Sequence, residues 1–291
     1  IFDRLGRRAW RYAFALPAST DAGYVLGRAH FPVNTSFADE ARVAFVSCNG
    51  REDEGEGPTE DGEEDWDPGE RNAMWKRLRR TNEERPLNLL IHGGDQIYAD
   101  PMLDVHARIE RWRTRAVRPY NDEPFVPDMR EAAEKFLLGR YLRLYATPDI
   151  AHLQARVPSV MMWDDHDIMD GWGSFEEWRL DAPVGQGLFR VAREMFLLFQ
   201  AGAPASKLPG VCVDTEGRSL TLAVSFPGFS IVAPDLRSNR TPSQILDEHG
   251  WRCLDTALDR AQMSRHVFVL SSVPAIGPRV GTLERLSLIH I

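Results

Sequence analysis

Cysteine is scarce in this chain: Cys48, Cys212 and Cys253 are the three among 291 residues. An odd number so small excludes a disulfide framework. Free thiols lean toward a reducing, cytoplasmic compartment. No apolar run approaches the roughly 18 residues of a membrane span. Basic residues do not form a stripe interleaved with aromatics, so no nucleic-acid-binding patch is indicated. The chain has no P-loop, no Gly-x-Ser-x-Gly elbow and no Cys-x-x-Cys pair. NTPase, serine hydrolase and zinc-finger chemistry are therefore without support. The first residue is Ile1 rather than Met, so the lack of a signal peptide leaves localisation open. Nothing in the sequence fixes an oligomeric state.

What is present is ordinary globular material, 43% hydrophobic and 27% charged. The formal charge is -8, but it is localised. Glu52 to Glu70 holds eleven acidic residues and no basic one, so the remainder sums to +3 by subtraction. Such a stretch reads as a solvated, mobile loop, or as a cation-attracting flap beside a site. Apolar, β-branched-rich runs recur at Val43–Val46, Leu87–Ile91, Val160–Trp163, Leu220–Val224, Phe229–Ala233 and Val267–Leu270. Helix-like stretches lie between them: Asn72–Arg80, Glu131–Tyr145, Leu188–Gln200 and Trp251–Arg265. Alternating strand and helix predicts an α/β layered fold. Tyr12–Leu16 and Tyr24–Ala29 read as closing strands of a small β-domain.

Polar residues fall where strands should end. Ser47-Cys48-Asn49 follows the first run, Gly93-Gly94-Asp95 the second and Asp164-Asp165-His166 the third. Asp235-Leu236-Arg237 follows the fifth, and Ser271-Ser272-Val273-Pro274 the sixth. In open α/β sheets ligands bind beyond the carboxyl ends of strands. These loops therefore predict one site assembled from distant sequence.

Trp163-Asp164-Asp165-His166-Asp167 crowds three carboxylates and an imidazole together, a costly cluster unless cations are present. Successive side chains in an extended segment face opposite ways. One aspartate could thus face metals while the other orients a neighbour. His166 could protonate a leaving oxygen or hold a phosphoryl group. Asp95 follows two glycines that permit a tight turn, and Tyr98 lies within reach of the same cation. Equally, Asp95 could cap a helix start, with Tyr98 in the core. Cys48 is either a small buried thiol or a thiolate ligand suited to iron or zinc. Asn49 could bind phosphate or metal. Arg237, with Arg240 a weaker candidate, could clamp phosphate through its planar fork; a structural Asp235–Arg237 pair is the alternative. His30, His92, His106, His152, His249, His266, Cys212 and Cys253 read as structural or solvated.

Together these motifs resemble the alkaline phosphatase D (PhoD-like) branch of the calcineurin-like metallophosphoesterases. The similarity runs from about Arg42 to Arg279. It rests on Ser47-Cys48-Asn49, on Gly94-Asp95-Gln96-Ile97-Tyr98-Ala99-Asp100, and on Trp163–Asp167 through Gly171-Trp172-Gly173-Ser174. Asp235-Leu236-Arg237-Ser238-Asn239-Arg240 and Leu270–Pro274 complete it. The resemblance implies a four-layer α/β/β/α sandwich over residues 41–285, with residues 1–40 as the tail of a small β-sandwich-like domain. It implies that Cys48, Asp95 and Tyr98 ligate a ferric ion, that Asp95 bridges to a second metal, and that Asp165 also serves as a ligand. His166 matches the catalytic histidine. Asn49, Asp164 and Arg237 are expected on the substrate side, with Arg237 also assisting catalysis. Iron with calcium is the implied pair, with manganese, zinc or magnesium as alternatives. The implied reaction is hydrolysis of phosphate mono- or diesters, small-molecule or polymeric, by a metal-activated hydroxide.

One departure stands out. The family pattern includes a later Gly-Asp-Val-His-type loop carrying histidine ligands, and none follows Asp235. The expectation is a C-terminally incomplete copy that cannot hold both metals tightly. Leu286–Ile291 reads as a translated library adapter. A catalytically incomplete member that binds a phosphorylated ligand is the second reading. A carboxylate-pair glycosidase using Asp95 and Asp165 is the third.

Overall fold

The computed structural model describes residues 1–37, 40–50, 68–114 and 123–274. The acidic stretch up to residue 67 and residues 286–291 lie outside them. Two short antiparallel hairpins come first. Strands β1 (Phe2–Arg4) and β2 (Arg7–Ala9) form one, and β3 (Gly23–Leu26) and β4 (Ala29–Pro32) the other. Tyr12–Leu16, expected as a strand, is not one. Its Tyr12 and Phe14 are exposed, so no partner strand rewards extended pairing. Both hairpins touch the main body. Arg4 pairs with Glu134 and Glu194, and the Tyr24 hydroxyl donates to the Ala155 carbonyl at 2.8 Å.

The main body is α/β. Strands β5 (Val43–Val46), β6 (Leu89–Gly93) and β7 (Ser159–Met162) form one parallel sheet with β6 central. The crossover from β5 to β6 carries helix α1 (Pro68–Glu84). Between β6 and β7 lie α2 (Ala107–Thr114), α3 (Pro127–Ala146) and α4 (Pro148–Gln154). After β7 come α5 (Glu177–Leu180) and α6 (Pro183–Phe199). Strands β8 (Leu222–Phe226), β9 (Phe229–Ala233) and β10 (His266–Val269) form a second sheet with β9 central. There β8 runs antiparallel and β10 parallel to β9, and the β9–β10 crossover is α7 (Glu248–Ala261). Among the described residues no helix is long and apolar enough to cross a membrane.

Periodicity explains the packing. On α6, Val184, Leu188, Val191, Ala192, Met195 and Phe196 are buried, the spacing of one helical face. That face joins Leu137, Tyr141 and Leu144 of α3 and Leu90 of β6 in the largest core. The other face of the first sheet supplies Leu89, Ile91 and Met162 to a core shared with Leu222, Phe229, Ile231 and Ala233 of the second. On α7, Cys253, Ala257 and Ala261 recur every four residues and pack with Val232 of β9. Every residue of β9 is buried, which is why it reads as an unbroken apolar run. At the carboxyl ends of β5, β6 and β7 the chain leaves the sheet in three neighbouring loops.

Candidate metal centre

The loops after β5 and β6 are zipped by backbone hydrogen bonds. Cys48 N–H donates to the Gly94 carbonyl at 3.2 Å, and Asn49 N–H to the Asp95 carbonyl at 2.8 Å. Cys48 and Asp95 both adopt positive φ, 53° and 54°. A left-handed backbone is uncommon outside glycine and clusters at functional sites. Gly94, at φ 103°, lets the third loop approach, since a Cβ there would sit 2.6 Å from the Asp164 Cβ. Gly50 likewise makes room for the Tyr98 ring.

The third loop is held by Asp167, which is fully buried. Its carboxylate accepts from the N–H groups of Asp95, Gln96, Ile97 and Asp164 and from the Gln200 amide. Five donors on one buried carboxylate fix two loops against each other. Asp167 is thus a scaffold residue rather than a member of the open cluster. Asp235 plays the same part, accepting from Trp163 Nε1 at 2.9 Å, Leu220 N–H at 2.7 Å and Arg237 N–H at 3.1 Å. The Asp235–Arg237 ion pair, the alternative reading of these two residues, is replaced by that backbone contact.

Within this frame Asp95, Asp164 and Asp165 each place a carboxylate oxygen within 4.8 Å of the others. The Cys48 sulfur lies 3.7 Å from Asp95 Oδ2. Asp95 Oδ1 is buried and has no hydrogen-bond partner. Burial first, then the charges of Asp167, Asp164 and Asp165, push the Asp95 carboxyl up to about 7. An orphaned buried acceptor among like charges is the environment a cation relieves. Cys48 is exposed; partial desolvation and the Asp95 charge push its thiol up against a Ser47 hydrogen bond, and burial and then Asp95 push the Tyr98 phenol up.

Arg237 is buried and already engaged. Its Nε donates to Asp164 Oδ1, its Nη2 lies 3.2 Å from Asp165 Oδ1, and its Nη1 donates to the Trp172 carbonyl at 3.1 Å. Arg240 lies beyond it; burial and the Arg237 charge push its guanidinium down. A cavity of about 600 Å³ opens there, lined by Trp172, Arg193, Arg218, Asn239 and Arg240 among others. Asn49 is tied at both ends, accepting from Trp75 Nε1 at 2.8 Å and donating to the Gln96 carbonyl at 3.3 Å.

His166 stacks on Tyr98 with ring centroids 4.2 Å apart. Its Nδ1 lies 2.8 Å from Asp100 Oδ2. Burial opposes its charge, but Asp100, Asp95 and Asp165 outweigh that and raise it to about 9. The ring is therefore an imidazolium at neutral pH, with Nε2 3.8 Å from Asp170.

A model of a family described as PhoD related phosphatase matches residues 30–290. The chain belongs to this family. A curated relative, the uncharacterized protein YGR266W of Saccharomyces cerevisiae, is 25% identical over 252 residues, covering 74% of this chain and 36% of the relative. A solved structure titled "Structure of PhoD" aligns with a TM-score of 0.38 at 16% identity, covering 67% of this chain and 31% of that one. The chain thus spans about a third of the length of these two proteins.

In this PhoD-related chain the structure brings together Cys48, Asp95, Tyr98, Asp164, Asp165, His166 and Arg237, and places Asn49 in the adjoining loop. Sequence reasoning gave no role to Asp100, Gln200 or Asp170. Asp100 stood in a quoted motif, but its hydrogen bond to His166 crosses 66 residues. Gln200 ends a helix, with no local signal that its amide reaches Asp167.

Proposed function

We propose that this chain carries the phosphoesterase centre of its family and hydrolyses phosphate mono- or diesters. The observation that carries the reading is the buried, unpartnered Asp95 oxygen inside a group of carboxylates, with a charged His166 at its rim. The three packed cores support a four-layer order of helices, sheet, sheet and helix.

The donor set fits one metal and part of a second site. Cys48, Asp95 and Tyr98 would hold one cation, and Asp95 with Asp165 would supply two ligands to the second, too few to hold it tightly. A thiolate and a phenolate favour iron or zinc at the first position, while carboxylates suit calcium, manganese or magnesium at the second. When bound, such cations neutralise charge developing on phosphoryl oxygens and raise the acidity of water. The protein's own part is positioning and proton delivery. His166, held by Asp100 on its Nδ1 side, presents Nε2 as the proton donor toward the leaving oxygen. Arg237, braced by Asp164, Asp165 and the Trp172 carbonyl, adds a fixed positive charge beside the phosphoryl group.

The test is turnover of an aryl phosphodiester and an aryl phosphomonoester by the purified chain, before and after chelation, with iron and calcium added back. Turnover that chelation abolishes and metal restores is expected. Turnover that survives exhaustive chelation would overturn the metal-dependent reading. One observation favours a second reading, binding without turnover: among the described residues, no imidazole joins the grouped ligand atoms of Asp95, Asp164 and Asp165. Saturable phosphate binding with no hydrolysis of either ester under any metal would establish it.

A further inference from the structure

A second donor cluster lies outside this centre. Asp214, His249 and Cys253 each place a ligand atom within 4.8 Å of the others, and all three are buried. His249 and Cys253 sit four residues apart on α7, so they share one face. Asp214 lies in the loop before β8 and faces them. His249 Nε2 is buried with no hydrogen-bond partner and lies 3.1 Å from Asp214 Oδ2 in an ion-pair contact. The histidine side chain is only 8% exposed.

We propose that Asp214, His249 and Cys253 hold a single divalent cation of the zinc class, which pins the loop before β8 to the start of α7. Carboxylate, imidazole and thiolate together form the mixed donor set that zinc accepts, with a water completing four-coordination. Asp214 is ready for the role. The N–H groups of Glu216, Arg218 and Ser219 donate to its carboxylate at 2.6–2.8 Å. Those donors use three of the roughly four acceptor positions of a carboxylate, leaving one for a cation. Glu216 stands behind the ring, 3.8 Å from His249 Nδ1, on the side where a carboxylate commonly supports a ligating histidine. The loop matters beyond the cluster, because Leu220 N–H donates to Asp235, the scaffold carboxylate under Arg237.

The inference is independent of any phosphoesterase activity, and its test reads ligation directly. In the Cys48→Ser/Cys212→Ser chain, Cys253 is the only thiol. Cobalt(II) added to that apo chain should give thiolate-to-metal charge-transfer absorption saturating near one equivalent. Adding His249→Gln should weaken cobalt binding by about 10–100-fold, with the circular dichroism unchanged. No such absorption in the double variant, or an unchanged affinity with His249→Gln, overturns the site and leaves a buried Asp–His contact. Should the double variant not fold, the cobalt spectrum of the native chain minus that of Cys253→Ser reads the same ligation. Equal spectra then overturn the proposal.

Discussion

Two candidate ligands, Cys48 and Asp95, carry left-handed backbone, and one of them carries a buried orphan oxygen. Both features cost stability: the surrounding loops hold the backbone strain, and a bound cation would satisfy the orphan oxygen. The sign of the pH dependence follows. An ordinary aspartate titrates near 3.8, while Asp95 in the folded chain titrates at about 7. Between those values the folded state keeps a proton that the unfolded state has lost, so stability falls as pH rises. His166 is raised from 6.5 to about 9; its contribution is complete below 6.5 and is lost as pH rises through 9. Both slopes have the same sign. The chelated chain is therefore expected to lose thermal stability steadily from about pH 5 to pH 9, by calorimetry. Divalent metal should flatten that loss by replacing the proton at Asp95. A chelated chain that gains stability over the same range contradicts this account. Asp100 acts through His166, so Asp100→Asn should shift the limb of the pH–rate profile set by His166 to lower pH. It should also cut kcat/KM by about 10–100-fold. A loss of rate with an unmoved profile would make Asp100 merely structural.

Legibility did not track burial, since the exposed edge strand β5 was as readable as the buried β9. β5 and β9 match the apolar runs Val43–Val46 and Phe229–Ala233 residue for residue. The other main-body strands shift by one or two residues, because strand ends are set by pairing rather than by hydrophobicity. Helices α1, α3 and α6 run longer at their amino ends than the periodicity suggested. In each a proline opens the first turn, where its missing N–H costs nothing. The β1–β2 hairpin was invisible: its strands are short, rich in arginine and largely exposed. The candidate site was readable because its motifs are contiguous and sit at strand ends. Its scaffold was not, since Asp167, Asp235 and Gln200 act through hydrogen bonds spanning up to 72 residues. The loop junction gives a sharp prediction. Gly94→Ala must hold φ 103° and meets the Asp164 Cβ at 2.6 Å. A loss of about 2–4 kcal/mol in urea unfolding is expected, together with weakened metal binding. Gly217→Ala, at φ 78° with open space around it, should cost only about 1 kcal/mol. Equal costs would show that backbone strain alone, not the close approach of the two loops, sets the penalty.

At the scale of the whole molecule, each sheet has, among the described residues, one markedly exposed edge strand. On β5, Val43 and Phe45 are 39% and 60% exposed; on β10, Val267, Phe268 and Val269 are 41%, 52% and 55% exposed. β6 and β9, one strand inward, are nearly dry. An edge strand with unpaired backbone and apolar side chains is a template for further pairing. Natural edges are blunted by charge, proline or bulges, and neither β5 nor β10 carries an acid, a lysine or a proline within its strand. The free chain should therefore self-associate as its concentration rises, through these edges rather than through the metal centre. Val43→Lys with Val269→Lys places one charge on each edge without touching the residues of the three cores. That double variant should sediment as a monomer at concentrations where the parent associates, with metal affinity retained. If both chains sediment alike as monomers, the edges are covered more effectively than their exposure implies. If both associate alike, another face mediates the contact.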